Sequence, residues 1–167
     1  MNFFVLIDCQ NDFATGSLGN PEFVKTIPAI KSKLDEARKN GDTIVYTRDT
    51  HHDNYMNTGE GKHLPVIHCI EGSDGWQIVD ELTPTDDDVI INKEHFGFTA
   101  WEDYIQSGDT VTMVGTVSSI CVASNALAIK AIENVEVNII KDCCVDLSNE
   151  GQEAAMKVMA ACQCNII

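Results

Sequence analysis

Six short apolar runs, rich in valine and isoleucine, recur along the 167-residue chain at positions 3–7, 43–46, 89–91, 111–114, 137–140 and 165–167. Each is too short for a core helix. Each is also continuously apolar rather than alternating, which predicts strands buried on both faces. Helical patterns lie between several of them: Ile27, Ile30, Leu34 and Ala37 repeat at three and four residues, and Gly41 is placed to end that helix. A second helix is predicted over about residues 121–133. A third is signalled by Asn149 with Gln152 three residues on, a capping-box spacing, followed by Ala155, Met156, Met159 and Ala160 on one face. Strands alternating with helices predict a mostly parallel six-stranded sheet covered on both sides. The expected architecture is a three-layer α/β/α sandwich of Rossmann-like type, formed as a single domain over residues 1–167.

Charge narrows the partners. Eleven Lys and Arg against 26 Asp and Glu leave a net charge of −15, which repels phosphate backbones and anionic headgroups, so neither nucleic acid nor membrane is expected as a partner. No apolar run approaches the roughly 20 residues that span a bilayer, and the start Met-Asn-Phe-Phe lacks the basic region of a secretory signal, so a cytoplasmic location is expected. The seven cysteines are an odd number and several fall in apolar segments. They are read as free thiols, with Cys143, Cys144, Cys162 and Cys164 packing in the core rather than binding metal.

In open parallel sheets, ligands bind beyond the carboxyl ends of the strands, so the residues just after each apolar run carry the functional information. The first run ends at Asp8, the second at Arg48-Asp49 with His51 close behind, and the third at Lys93. The fourth leads through Gly115 to Cys121, predicted to open a helix whose exposed amides favour a thiolate. A carboxylate, an ammonium and a thiol on one rim suit nucleophilic catalysis in which Asp8 moves the thiol proton and turn amides bind an oxyanion. The polar, Gly-rich stretch 51–76 is too long for a plain connection, which marks it as functional. His52, His63 and His95 are taken as rim residues without an assigned role.

The segments Leu6-Ile7-Asp8-Cys9-Gln10-Asn11-Asp12-Phe13, Thr47-Arg48-Asp49-Thr50-His51, Asn92-Lys93 and Gly115-Thr116-Val117-Ser118-Ser119-Ile120-Cys121-Val122 together resemble the isochorismatase-like cysteine hydrolases, most closely the nicotinamidases. The resemblance implies a triad of Asp8, Lys93 and Cys121, a thioester on Cys121, and a cis peptide at Thr116-Val117 that aims the amides of Val117 and Cys121 at the substrate oxygen. It implies a divalent metal, zinc first with manganese or iron as alternatives, on Asp49, His51 and His68 with Glu60 from the intervening loop. It also implies Phe13, Leu64 and Phe96 as substrate contacts, a small-molecule amide as substrate, and a dimer or tetramer. Ser118-Ser119 stands where the family commonly carries Thr-Asp, and Leu64-Pro65 where it often carries an aromatic residue.

Nicotinamide hydrolysis to nicotinate and ammonia is the first functional reading. The alternative keeps the triad but acts on another small amide or an N-carbamoyl compound, a class that generally lacks the metal set. A catalytically silent binding protein on the same fold is the third.

Overall fold

In the computed structural model, which describes residues 1–167, the apolar runs form β1 (Asn2–Ile7), β2 (Thr43–Asp49), β3 (Val89–Lys93), β4 (Thr110–Thr116), β5 (Glu136–Val145) and β6 (Asn165–Ile166). All neighbours pair in parallel, in the order β3-β2-β1-β4-β5-β6. The chain leaves β1 toward β2 and β3 on one side and returns to β4, β5 and β6 on the other. That reversal opens a crevice beyond the carboxyl ends of β1 and β4, where ligands bind in such sheets.

Five α-helices accompany the strands: α1 (Asn11–Ala14), α2 (Pro21–Asn40), α3 (Gly59–His63), α4 (Ala123–Lys130) and α5 (Asn149–Ala161). The pleat of β1 shows how three layers arise, because successive side chains point to opposite faces. Phe3, Val5 and Ile7 join a core completed by Ile129 of α4 and by Met156 and Met159 of α5. Phe4 and Leu6 join the opposite core with Phe23, Ile27, Ile30 and Leu34 of α2. No helix is long and apolar enough to cross a membrane.

The predicted start and stop of α2 hold: Asn20 caps its first turn by accepting from the Glu22 amide, and Gly41 closes it in the left-handed conformation at φ 79. Three boundaries differ from expectation. β5 runs on to Val145 through the polar Lys141 and Asp142, which end its apolar run but not its pairing, since Gly115 and Thr116 still lie opposite Cys144 and Val145. The helix expected over residues 121–133 starts instead as a π-helical turn, Ser118–Val122, continues as α4 and stops at Lys130. The third helix is capped by Ser148, whose side chain accepts from the Gly151 amide. Asn149 is already helical, and Gln152 turns away from the cap to donate to the Cys144 carbonyl.

Gly115 sits where β4 presses on β1. Its φ is +126, and a Cβ there would lie 2.2 Å from the Ile7 carbonyl oxygen, so the two strands approach this closely only because position 115 has no side chain.

Candidate active site

Three strand ends and one turn converge on the crevice. Asp8 leaves β1 with φ 49 and is fully buried. Its Oδ1 accepts from the Thr47 hydroxyl at 2.7 Å, so β2 fixes the carboxylate. Lys93 ends β3, two strands away, and its long side chain reaches across the end of β2 to bring Nζ 2.7 Å from Asp8 Oδ2. The same Nζ lies 3.5 Å from Asp49 Oδ1 and 3.8 Å from Cys121 Sγ, and it donates to the His95 carbonyl at 3.2 Å. Asp8 Oδ2 faces the ammonium as an ion pair and has no backbone amide or hydroxyl donor.

Cys121 is 6% exposed and lies in the π-helical turn after β4, where Asn125 donates to its carbonyl at 2.8 Å. The Thr116–Val117 peptide is cis. The Val117 N–H donates to no acceptor in the protein. The turn lacks the carboxylate that the resemblance puts at position 119. Asp146, just beyond β5, supplies one from outside and accepts from the Ser119 amide at 2.7 Å.

Burial and the negative charge of Asp8 push the Cys121 thiol far above the usual range, so it rests protonated. Burial alone would discharge Lys93, but the Asp8 and Asp49 carboxylates outweigh it and hold the ammonium above the ordinary lysine range. Burial also raises Asp8, against the pull of Lys93.

The second group of polar side chains abuts the first through Asp49. Asp49 ends β2, His51 follows two residues on, Glu60 sits in α3, and His68 lies in the segment returning toward β3. Their nearest nitrogen and oxygen atoms all fall within 4.8 Å of one another. His51 Nε2 lies 3.1 Å from Asp49 Oδ2 and 3.5 Å from Glu60 Oε1, and His68 Nε2 lies 3.4 and 3.9 Å from the same two oxygens. Ligands about 2.0–2.1 Å from a tetrahedral ion stand about 3.3–3.4 Å apart, so these donors fit a divalent metal with little movement. His68 Nδ1 faces the Val66 carbonyl at 2.7 Å, which fixes its proton there and leaves Nε2 free to ligate. Burial would discharge His51, yet Asp49 and Glu60 push its pKa up to about 9. Burial would likewise raise Asp49, but both imidazoles and Lys93 hold it below the carboxylate range. Such a site has an excess of negative charge that a cation would neutralise.

Both groups open onto one cavity of about 690 Å³, counting its mouth. Cys121, Asp49, Glu60 and His68 form its floor, and Phe13, Leu18, Leu64, Phe96, Ile120 and Leu147 form most of its wall. No lysine or arginine lines it. His52, His63 and His95 line a neighbouring cleft instead, where His52 pairs with Glu94 at 3.2 Å. Sequence reasoning assigned no role to Gln10, Asp12 or Asp146. The first two were visible as polar residues two and four positions beyond Asp8, just after a buried strand.

The secreted isochorismatase effector of Verticillium dahliae is 26% identical over 94% of this chain and 79% of its own length. The pyrazinamidase of Pyrococcus horikoshii, solved in complex with zinc, is 26% identical with a TM-score of 0.84, covering 99% of this chain and 98% of that one. The nicotinamidase/pyrazinamidase of Bacillus subtilis shares the fold at 22% identity and a TM-score of 0.83, again over 99% and 98% of the two chains. A model of the isochorismatase domain matches residues 2–167, and on that match this chain belongs to the isochorismatase domain family.

Proposed function

We propose that this protein is a cysteine amidohydrolase that converts nicotinamide to nicotinate and ammonia. One observation carries the reading: a single apolar cavity is lined at once by the Cys121 thiol and by Asp49, Glu60 and His68 of the metal-donor cluster. A flat ring bearing both a carboxamide and a ring nitrogen meets both ends of such a cavity. No lysine or arginine lines the cavity to receive the carboxylate of isochorismate or of an N-carbamoyl acid, so the chain's own side chains offer those anions no partner that a neutral amide would lack.

Asp49, His51, Glu60 and His68 would hold the metal, and two imidazoles with two carboxylates suit zinc first, then manganese or iron. When bound, the metal supplies a Lewis acid that fixes the ring nitrogen and so orients the carboxamide. The chain's own groups do the chemistry. Asp8 Oδ2 takes the Cys121 proton while Lys93, 3.8 Å from Sγ, stabilises the thiolate as it forms. Sγ bonds to the carboxamide carbon, and the carbonyl oxygen takes up the electron pair facing the Val117 and Cys121 amides. Collapse breaks the C–N bond, with the proton passing from Asp8 to the departing nitrogen to release ammonia. Asp8 then takes a proton from water, whose oxygen attacks the thioester and frees the acid and the thiol. Phe13, Leu64 and Phe96 would flank the ring. Six buried free cysteines are in keeping with a reducing, cytoplasmic setting.

The test compares nicotinamide, an N-carbamoyl amino acid and isochorismate, each with the parent enzyme and with Cys121→Ala. The expected result is ammonia release from nicotinamide at the highest kcat/KM and none with Cys121→Ala. Faster turnover of either anionic substrate, or equal release by the two proteins, overturns the reading.

A further inference from the structure

The stretch that delivers Asp8 to the crevice makes two further sets of contacts. Gln10 is fully buried, and both N–H donors and the oxygen of its carboxamide are engaged. Oε1 accepts from the Asp49 amide at 2.7 Å, while Nε2 donates to the Asp49 carbonyl at 2.8 Å and to the Trp76 carbonyl at 2.9 Å. Parallel pairing of β1 with β2 stops at Ile7 opposite Thr47. Two residues farther along β2, the Gln10 side chain stands in for a peptide unit and continues the ladder to Asp49.

Asp12 acts on the other strand of the donor cluster. Its Oδ2 accepts from the Cys69 amide at 2.7 Å, next to His68, and the Cys69 carbonyl accepts from the His51 amide at 2.9 Å. Cys69 is left-handed at φ 47, a conformation that a non-glycine residue holds only when its surroundings impose it. The carboxylate is boxed in: a Cβ on Gly75 would lie 2.1 Å from Asp12 Oδ2, and one on Gly16 would lie 2.2 Å from Oδ1.

We propose that Gln10 and Asp12 are positioning residues that set the metal-donor cluster at a fixed distance from Asp8, so that one five-residue segment gauges the spacing between metal and thiol. Asp8, Gln10 and Asp12 alternate along it. The first does chemistry, the second holds Asp49 by its backbone, and the third holds the peptide linking His68 to His51. The inference rests on the metal-ligand reading given above for Asp49, His51 and His68.

The test measures zinc affinity of the metal-stripped full chain by competition with a chromophoric chelator, for the parent, Gln10→Glu, Asp12→Asn and Asn11→Ala. Gln10→Glu keeps the acceptor for the Asp49 amide and loses both donors. Asp12→Asn keeps the shape and removes the charge-assisted acceptor. Asn11 lies on the same segment but bonds only the Asp74 carbonyl at the surface, through its side chain. Outer partners of metal ligands typically control affinity by about 10–100-fold. A loss of that size is expected for Gln10→Glu and Asp12→Asn, with Asn11→Ala within about twofold of the parent. Cys121 alkylation in the metal-free proteins is expected to stay within about threefold of the parent. For a variant too unstable to titrate, the zinc-induced rise in melting temperature replaces the affinity and is expected to shrink.

Parent-like zinc binding by Gln10→Glu and Asp12→Asn overturns the proposal, as does an equal loss in Asn11→Ala, which would signal general loosening. A parent that binds no zinc instead sinks the metal reading itself.

Discussion

The two halves of the cavity floor are built in opposite ways. Asp8, Lys93 and Cys121 stand at the ends of β1 and β3 and in the turn leaving β4, and their charges compensate: one ammonium lies 2.7 Å from one carboxylate, beside a neutral thiol. Asp49 also ends a strand, but His51, Glu60 and His68 come from the long segment after β2, and there two carboxylates face two imidazoles, one of which, His51, has its pKa pushed up to about 9. The thiol half is compensated by its own residues, whereas in the proposed reading the donor half would be completed by a metal. On the proposed reading, chemistry and substrate orientation are separable, and damage to either half is expected to have its own signature.

The largest expected effect is on the thiol half. Cys121→Ala removes the nucleophile, so ammonia release should fall about ten-thousand-fold or more, while zinc affinity by chelator competition stays at the parent value. A parallel loss of zinc binding would break the separation. Asp8→Asn comes next, with release falling about 10²–10⁴-fold as Cys121 alkylation by iodoacetamide speeds up. The sign follows from the thiol's environment. Burial and the Asp8 charge both raise its pKa, so removing that charge lowers it and enlarges the thiolate fraction at neutral pH. In the parent, alkylation should climb with pH without levelling off below about pH 9. A plateau at neutral pH would mean a pre-formed thiolate.

Effects on the donor half are expected to be smaller and to fall on substrate binding. His51→Ala, or complete metal removal, is expected to lower kcat/KM for nicotinamide by about 10–100-fold with Cys121 alkylation unchanged. Activity indifferent to chelation would contradict the orienting role. The mildest change is Phe96→Ala. Phe96 is 45% exposed at the cavity rim, so its loss should raise KM several-fold and leave the melting temperature within about 2 °C.

The same contrast explains what could be read from the sequence. Continuous apolar runs fixed the strands, and the rule that ligands gather at carboxyl ends led straight to Asp8, Asp49, Lys93 and Cys121. Glu60 and His68 were named only through family resemblance, because neither lies at a strand end and no local periodicity marks it. Gln10 escaped because its role is to imitate backbone, which composition and spacing do not reveal. The π-helical turn before α4 was missed for a related reason, since neither the composition nor the spacing of Ser118 to Val122 marks it. The polar Lys141 and Asp142 hid the second half of β5 by breaking the pattern that identified the other strands.

Gly115 gives this arrangement a narrow tolerance. The proposed proton acceptor and nucleophile hang from adjacent strands, and the gap between those strands is set where a methyl group would collide with the Ile7 carbonyl. Even alanine there would wedge Asp8 and Cys121 apart while leaving every reacting group in place. The spacing of the two groups therefore rests on a carbon that position 115 does not carry.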